Sequence, residues 1–315
     1  HMLCWGGMAL AGGLMAGIWP RACLVGLWLA YLSLVTVGEP FLGYQWDALL
    51  LEASLLGVLF APGGLWLGRA RGEPSRAVVG LIRWLVFRLM FLAGVVKLTS
   101  GDPTWCAWEA MRFHYETQPL PAWTSWYMHQ LPPWFQAASV GVVFWAELVA
   151  PWLVFAPRRP RMVAFVSMVG LQVLIALTGN FGFFNLLAIV LCLVLVEDRD
   201  WGRTGTDEPA LLSRDRGLWR RAVLALAWLV IVAVTTMEAI DRGGLTIVFP
   251  GPLESLRAAV APLRSLNAYG LFAVMTTERP EIIVEGSDDG VRWTACEFRW
   301  KPGDPSRRPR FATPH

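Results

Sequence analysis

The sequence predicts an all-α polytopic membrane helix bundle of about eight spans, followed by a small extracytoplasmic β segment at the C-terminus. Three observations carry that prediction. First, 55% of the 315 residues are hydrophobic, only 16% are charged, and the mean hydropathy is +0.47; ordinary soluble domains carry about 25% charged residues. Second, the apolar residues gather into stretches near the length of roughly 20 residues that a helix needs to cross a bilayer core. Third, strand-like alternation and hairpin turn chemistry are confined to the tail. This composition excludes a water-soluble enzyme of one or two domains, a disordered chain and a disulfide scaffold. A formal net charge of +3 leaves no electrostatic footprint for nucleic acid. The five cysteines form no Cys-x-x-Cys pair, so neither zinc nor thioredoxin-like chemistry is supported and no metal site is expected.

The apolar stretches fall at 3–18, 22–38, 47–61, 78–99, 134–156, 162–178, 181–196 and 222–240. The first lacks a basic n-region and a second follows at once, so it reads as a span rather than a removable signal. His1-Met2 reads as an arbitrary start, and an incomplete copy of a longer protein is expected. Arginine orients the bundle. Arg69, Arg71 and Arg76 follow the third stretch, Arg158, Arg159 and Arg161 the fifth, and Arg199, Arg203, Arg214, Arg216, Arg220 and Arg221 lie between the last two. Alternating span direction puts all three groups on one face, which the positive-inside rule makes cytoplasmic. The opposite face receives 39–46, the long loop 100–133, the Gly179-Asn180 turn and everything from 241 onward. The expected organisation is a transmembrane bundle over 1–242, including the outward loop 100–133, and an extracytoplasmic module over 243–315. The arginine-rich composition and the lack of Asn-x-Ser/Thr sequons point to a bacterial inner membrane with a periplasmic C-terminus.

In the tail, 253–266 has the pattern of an amphipathic helix lying at the interface. Residues 271–276, 281–285 and 291–300 read as short strands, with Ser287-Asp288-Asp289-Gly290 as the hairpin turn because Asp-Gly supplies the positive φ angles such turns need. Three short strands do not make a stable domain, so a partial β module is expected.

Ionisable residues inside spans cost roughly 2.5–3.5 kcal/mol each, so each one asks for a reason. Arg88 and Glu147 lie mid-span in the fourth and fifth stretches. Counted from the cytoplasmic ends at about 1.5 Å per residue, they sit at similar depth and are expected to form a structural ion pair. Asp47 and Glu52 lie in the outer part of the third stretch, and Lys97 near the outer end of the fourth. Lys97 and Lys301 are the only lysines. The bland reading of Lys97 is snorkelling to the interface. The functional reading starts from the fact that an ammonium can be deprotonated when desolvated and a guanidinium cannot. It places Lys97, Glu52 and Asp47 in one outward-facing polar pocket.

The loop 100–133 is the densest polar-aromatic segment, holding Trp105, Arg112, His114, Tyr115, Glu116, Gln118, Trp123, Trp126, Tyr127 and His129. Its length suits a functional lid. Trp123, Trp126 and Trp134 fit an interfacial aromatic belt. His114 and Glu116, two positions apart, point to opposite sides of an extended segment, which speaks against a metal pair and leaves acid–base or hydrogen-bonding roles open. Cys106 and Cys296 both map to the outward face, where a disulfide and two free thiols are both open.

Phe41-Leu42-Gly43-Tyr44-Gln45-Trp46-Asp47-Ala48-Leu49-Leu50-Leu51-Glu52 and His114-Tyr115-Glu116-Thr117-Gln118-Pro119-Leu120-Pro121 resemble signatures of the lipase maturation factor family. So do Asn267-Ala268-Tyr269-Gly270-Leu271-Phe272, Glu285-Gly286-Ser287-Asp288-Asp289-Gly290, Lys301-Pro302-Gly303-Asp304 and Pro314-His315. The resemblance implies a multi-pass membrane protein that helps newly made lipases fold and assemble into active dimers, in a eukaryote in the endoplasmic reticulum membrane with a lumenal C-terminus. Carried over, the loop 100–133 and the β segment become the client-facing surfaces, with Asp47, Trp46, Tyr115, Gln118, Trp123 and Trp126 as client- or ligand-binding residues. The partners implied are the lipid bilayer and a secreted lipase or similar client. A shorter stretch, Ala93-Gly94-Val95-Val96-Lys97-Leu98 with Asp102 and Trp105, resembles the segment of vitamin K-dependent gamma-carboxylases that carries a lysine implicated as catalytic base. That resemblance implies an enzyme acting on a lipid-soluble or quinol-like small molecule, with Lys97 as base and Glu52, His114 and Glu116 in the catalytic set. Neither resemblance names a cofactor for this chain.

Overall fold

The computed structural model describes residues 1–66, 74–118, 121–197, 200, 218–296, 298, 304–308 and 310–311. Arg69, Arg71, Arg199, Arg203, Arg214 and Arg216 lie outside the described residues, as do Pro119, Leu120, Lys301 and the Pro314-His315 pair.

Every apolar stretch folds as helix. They become α1 (Met2–Met15), α2 (Pro20–Gly38), α3 (Gln45–Phe60), α4 (Arg76–Thr99), α8 (Pro133–Phe144, with its continuation to Phe155), α9 (Arg158–Thr178), α10 (Phe184–Cys192) and α11 (Leu218–Arg242). Among the described residues, 5 of these are long and apolar enough to cross a membrane: α2, α4, α8 with its continuation, α9 and α11. About eight spans were expected, and length is the reason for the difference. A helix of 14 residues such as α1 is about 21 Å long, against a hydrocarbon core of about 30 Å.

The bundle is built around α4. Its apolar window is 67% buried, whereas that of α2 is 11% buried. Leu81, Leu85, Val86 and Leu89 of α4 pack with Leu49 and Leu56 of α3, Met168 of α9 and Ala188 of α10 in one core.

The fifth stretch is not a uniform helix. After α8 it widens into a π turn over Trp145–Val149 and tightens into a 3₁₀ segment over Ala150–Phe155. Pro151 accounts for both changes. It has no N–H for the carbonyl of Glu147, four residues back, and its ring crowds that carbonyl. Glu147 thereby lies in a π turn on the inner side of the bundle.

The loop 100–133, read above as partly extended, is largely helical: α5 (Pro103–Cys106), α6 (Ala110–Thr117) and α7 (Trp123–His129). Trp105, Met111, Tyr115 and Val140 close a second, smaller core there, together with Met275 from the tail.

The amphipathic helix of the tail is α12 (Gly251–Val260), tied to the end of α11 by Arg257, which pairs with Glu238 at 2.7 Å and Asp241 at 2.6 Å. Two of the three expected strand regions contribute strands among the described residues. β1 (Val284–Gly286) and β2 (Thr294–Cys296) pair antiparallel, Glu285 opposite Ala295. Residues 271–276 are not a strand. They are irregular chain packed against the bundle.

Candidate functional site

Residues 265–275 form a strap that runs from α12 into the 100–133 end of the bundle. Irregular backbone at membrane depth is tolerated only where protein satisfies its polar groups, since each unsatisfied group costs several kcal/mol in hydrocarbon. The buried charges of the bundle supply that satisfaction. Arg88 of α4 pairs with Glu52 of α3, each 1% exposed. Arg88 also donates to the Asn267 carbonyl at 2.6 Å. The second Glu52 oxygen accepts from the Tyr269 hydroxyl at 2.6 Å and from the Asn267 N–H at 3.4 Å. The Gln45 side chain brackets Gly270 like a strand neighbour, accepting from its N–H at 3.0 Å and donating to its carbonyl at 3.2 Å. Arg242 donates to the same carbonyl at 3.1 Å. A side chain at 270 would meet Val96 at 2.9 Å and Arg242 at 3.0 Å, which is why glycine stands there.

Further along, Lys97 donates to Glu147 Oε1, to the Ala93 carbonyl and to the Leu271 carbonyl, each at 3.0 Å. Trp105 Nε1 donates to the Phe272 carbonyl at 3.0 Å, and Asp102 accepts from the Met275 N–H at 2.5 Å. Burial opposes ionisation of Asp102, but the N–H groups of Met275 and Thr104 prevail and hold its carboxyl below the usual carboxylate range. Phe272 has φ +55°, a left-handed backbone that costs a non-glycine residue about 1–3 kcal/mol and is held by these surrounding contacts.

The expected pairing of Arg88 with Glu147 is therefore corrected. Arg88 pairs with Glu52, and Glu147 pairs with Lys97, Oε2 lying 2.8 Å from Nζ. A 3₁₀ helix rises about 2.0 Å per residue. The six residues Ala150–Phe155 thus add about 3 Å, a fraction of the about 13 Å that separates Arg88 from Lys97 along α4, so the rise alone does not account for the change of partner. Packing sets the level instead: a Cβ at Gly94 would stand 3.0 Å from that of Glu147, so the π turn faces Gly94, one turn from Lys97.

The expected common pocket of Lys97, Glu52 and Asp47 is also corrected. Lys97 is 2% exposed and does not snorkel. Asp47 caps α3 at the Tyr44 N–H and accepts from the Tyr31 hydroxyl at 2.5 Å. Glu52 and Lys97 are linked through the strap rather than to each other. The contacts of Lys97 Nζ, to Ala93, Glu147 and Leu271, are all to groups of this chain.

Beside the strap lies a cavity of 690 Å³. It is bounded by residues 44–46 at the start of α3, by Leu89, Met90 and Ala93 of α4, by the 180–185 turn and by 269–272. Trp46, Gln118 and Glu147 line it; Lys97, Glu52 and Asp47 do not. Trp46 stacks on Tyr44 with ring centroids 4.5 Å apart. Two polar residues that sequence reasoning passed over, Gln172 and Asn185, also face it and are joined by a 2.8 Å hydrogen bond. The signal was available, since both are amides within apolar stretches, the same anomaly that singles out the charges.

His114 and Glu116 lie on one helix, not an extended segment, yet still diverge, two residues being roughly 200° of helical turn. His114 is buried between the rings of Tyr115, Phe181 and Phe272. Burial, and secondarily the charge of Lys97, lowers its pKa to about 4. Tyr115 is buried, and that burial raises its hydroxyl to about 12. Glu116 faces outward, 3.5 Å from His129 Nε2. Trp123 is 39% exposed, and Trp126 donates to the Pro305 carbonyl at 2.7 Å. Cys106 and Cys296 are exposed free thiols. Among the described residues no His, Cys, Asp and Glu cluster fit to hold a metal occurs.

The three motif stretches around Gln45, His114 and Tyr269 thus converge on the strap and the cavity. A family model described as the lipase maturation factor transmembrane domain matches residues 1–203. One described as the lipase maturation factor C-terminal domain matches 265–315, starting where the strap starts. Lipase maturation factor 2 of Gallus gallus is 35% identical, covering 100% of this chain and 58% of that protein. The Homo sapiens protein of the same name is 34% identical over 92% of this chain and 56% of its own length. Lipase maturation factor 1 of Bos taurus is 33% identical over 96% of this chain and 57% of its own length. The chain thus spans little more than half the length of these relatives. No solved structure matches it. These relatives lend the carboxylase resemblance no support. The chain belongs to the lipase maturation factor family.

Proposed function

We propose that this chain is the membrane-embedded part of a factor that assists the folding and assembly of secreted lipases or similar clients. The observation that carries the reading is the match along nearly the whole chain to proteins named lipase maturation factors 1 and 2. The geometry supports a binding rather than a catalytic role, because the buried charges at Arg88, Glu52, Lys97 and Glu147 are spent on holding the chain's own strap. In this reading the face bearing 100–133 and the C-terminal segment is extracytoplasmic and meets the client. Trp123, Trp126 and the exposed apolar residues of the tail, such as Trp293 and Phe298, are its contact candidates. The helices too short to span by themselves complete the bundle within the membrane. The location is a bacterial inner membrane, or the endoplasmic reticulum in a eukaryotic host.

The test is co-expression with a secreted dimeric lipase in cells that lack their own maturation factors. Specific lipase activity and the dimer fraction are measured with and without this chain. A rise in both, lost on Arg88→Leu, is expected; unchanged activity beside well-expressed wild-type chain contradicts the reading.

A further inference from the structure

We propose that the 690 Å³ cavity beside the strap binds a neutral, hydroxyl-bearing single-chain lipid of the monoacylglycerol kind. Its volume falls within the range of about 300–1,000 Å³ typical of small-molecule sites. Leu89, Met90, Ile175 and Phe184 give it apolar walls suited to an acyl chain. The head-group preference follows from what the polar lining leaves free. Gln118 is 4% exposed, and its Oε1 finds no donor among the described residues. Its amide orientation is fixed by chemistry, because Nε2 donates to the Thr178 carbonyl at 3.2 Å and a flipped amide would set oxygen against oxygen. Gln172 Oε1 already accepts from Asn185 Nδ2 at 2.8 Å. Glu147 lines the cavity whereas its partner Lys97 lies behind it, so the carboxylate side of that pair is presented.

The free valences are thus acceptors: Gln118 Oε1 and Glu147 Oε2, on two residues that line the same cavity, are both without a hydrogen-bond donor among the described residues. A buried acceptor left unpaired costs about 1–3 kcal/mol, and a ligand hydroxyl satisfies it. A fatty acid carboxylate brings no donor and adds a second negative charge next to Glu147. The inference is independent of the maturation role proposed above, because it rests on the cavity alone.

The experiment uses the purified full chain in detergent and a monoacylglycerol probe carrying a diazirine in its acyl chain and an alkyne handle. Labelled peptides are mapped, and unlabelled monooleoylglycerol and oleic acid are compared as competitors. Labelling is expected on peptides from 89–93 and 181–185, competed at least about tenfold better by monooleoylglycerol. That ratio corresponds to about 1.4 kcal/mol, close to one satisfied hydrogen bond. Ile175→Trp, which fills the cavity, is expected to cut labelling at least about fivefold, whereas Leu174→Trp on the exposed side of the same helix leaves it unchanged. Gln118→Met is expected to erase the preference for monooleoylglycerol while retaining labelling. Labelling spread over exposed helix faces, or equal competition by oleic acid on the wild-type chain, overturns the proposal even if the Ile175→Trp variant does not fold.

Discussion

The strap at 265–275 and the hairpin formed by β1 and β2 are neighbours in one C-terminal module, yet they are held in opposite ways. Strap residues Ser265 and Tyr269 are each 1% exposed, and their backbone neighbours are bound by Arg88, Gln45, Lys97, Trp105 and Asp102. Every residue of β1 and β2 is exposed, and the hairpin is held by its own ladder and by Asp289, which accepts from the Val291 and Arg292 N–H groups at 2.8 and 2.7 Å. The difference shows what the intramembrane charges do. Irregular backbone can enter a low-dielectric bundle only if the bundle brings donors and acceptors to it, and a buried ion pair tolerates desolvation only with its spare valences filled. The strap fills most of those valences, leaving Arg88 Nε and Glu147 Oε2 without a hydrogen-bond partner among the described residues. The hairpin, outside that environment, needs neither.

The substitution that breaks the comparison most is Arg88→Leu. It leaves the Glu52 carboxylate buried and the Asn267 carbonyl unpaired, and is expected to cost about 3–5 kcal/mol, read as a large fall in the unfolding midpoint in micelles. Arg88→Leu combined with Glu52→Leu removes both charges and is expected to recover part of that loss. An unchanged midpoint for the single variant would mean that the pair does not hold the strap.

Acid is the next lever. His114 touches the strap through Phe272, and its folded pKa of about 4 lies below the ordinary 6.5. A depressed histidine pKa stabilises the fold fully above 6.5, and the contribution is lost as the pH falls through 6.5 toward 4. The loss amounts to about 3 kcal/mol at most. The melting temperature is expected to drop over that interval and to do so less in His114→Phe; equal slopes for the two proteins would remove His114 from the account.

Trp105→Phe keeps most of the buried ring and deletes only the donor to the Phe272 carbonyl, at an expected cost of about 1–2 kcal/mol, measurable in denaturant midpoints. Val291→Ser in the exposed hairpin is expected to stay within about 0.5 kcal/mol of wild type. A larger loss there would show that the hairpin is as well supported as the strap.

The long helices were legible because apolar runs bounded by Pro, Gly and Arg carry their own length and ends, and α12 lies within the amphipathic stretch, whereas α5, α6 and α7 fall in a segment that reads as a loop. The charges worth watching were legible too, because Lys97, Arg88, Glu52 and Glu147 are each anomalous in apolar surroundings. Their pairing was not. Depth counting assumes that both helices start level and run parallel, and Glu147 packs against Gly94, six residues beyond Arg88, a larger offset than the π and 3₁₀ segments alone supply. The strap was hidden for a different reason. Residues 271–276 run apolar like a buried strand, but their hydrogen-bond partners are side chains from distant helices, which no local pattern reveals. The cavity was half visible: Trp46 and Gln118 were singled out, while Gln172 and Asn185, which complete its polar lining, were not.

Hydrogen exchange on the full chain in micelles, followed peptide by peptide, tests the central claim most directly. In the wild-type chain the amides of Asn267, Gly270 and Met275 are expected to exchange as slowly as the middle of α4, while the free-edge amides of the hairpin exchange fast. In Arg88→Leu the strap is expected to lose protection before α4 and α9 do. Strap amides that exchange as fast as the hairpin in the wild-type chain would contradict the claim that the buried charges hold the strap in the bundle.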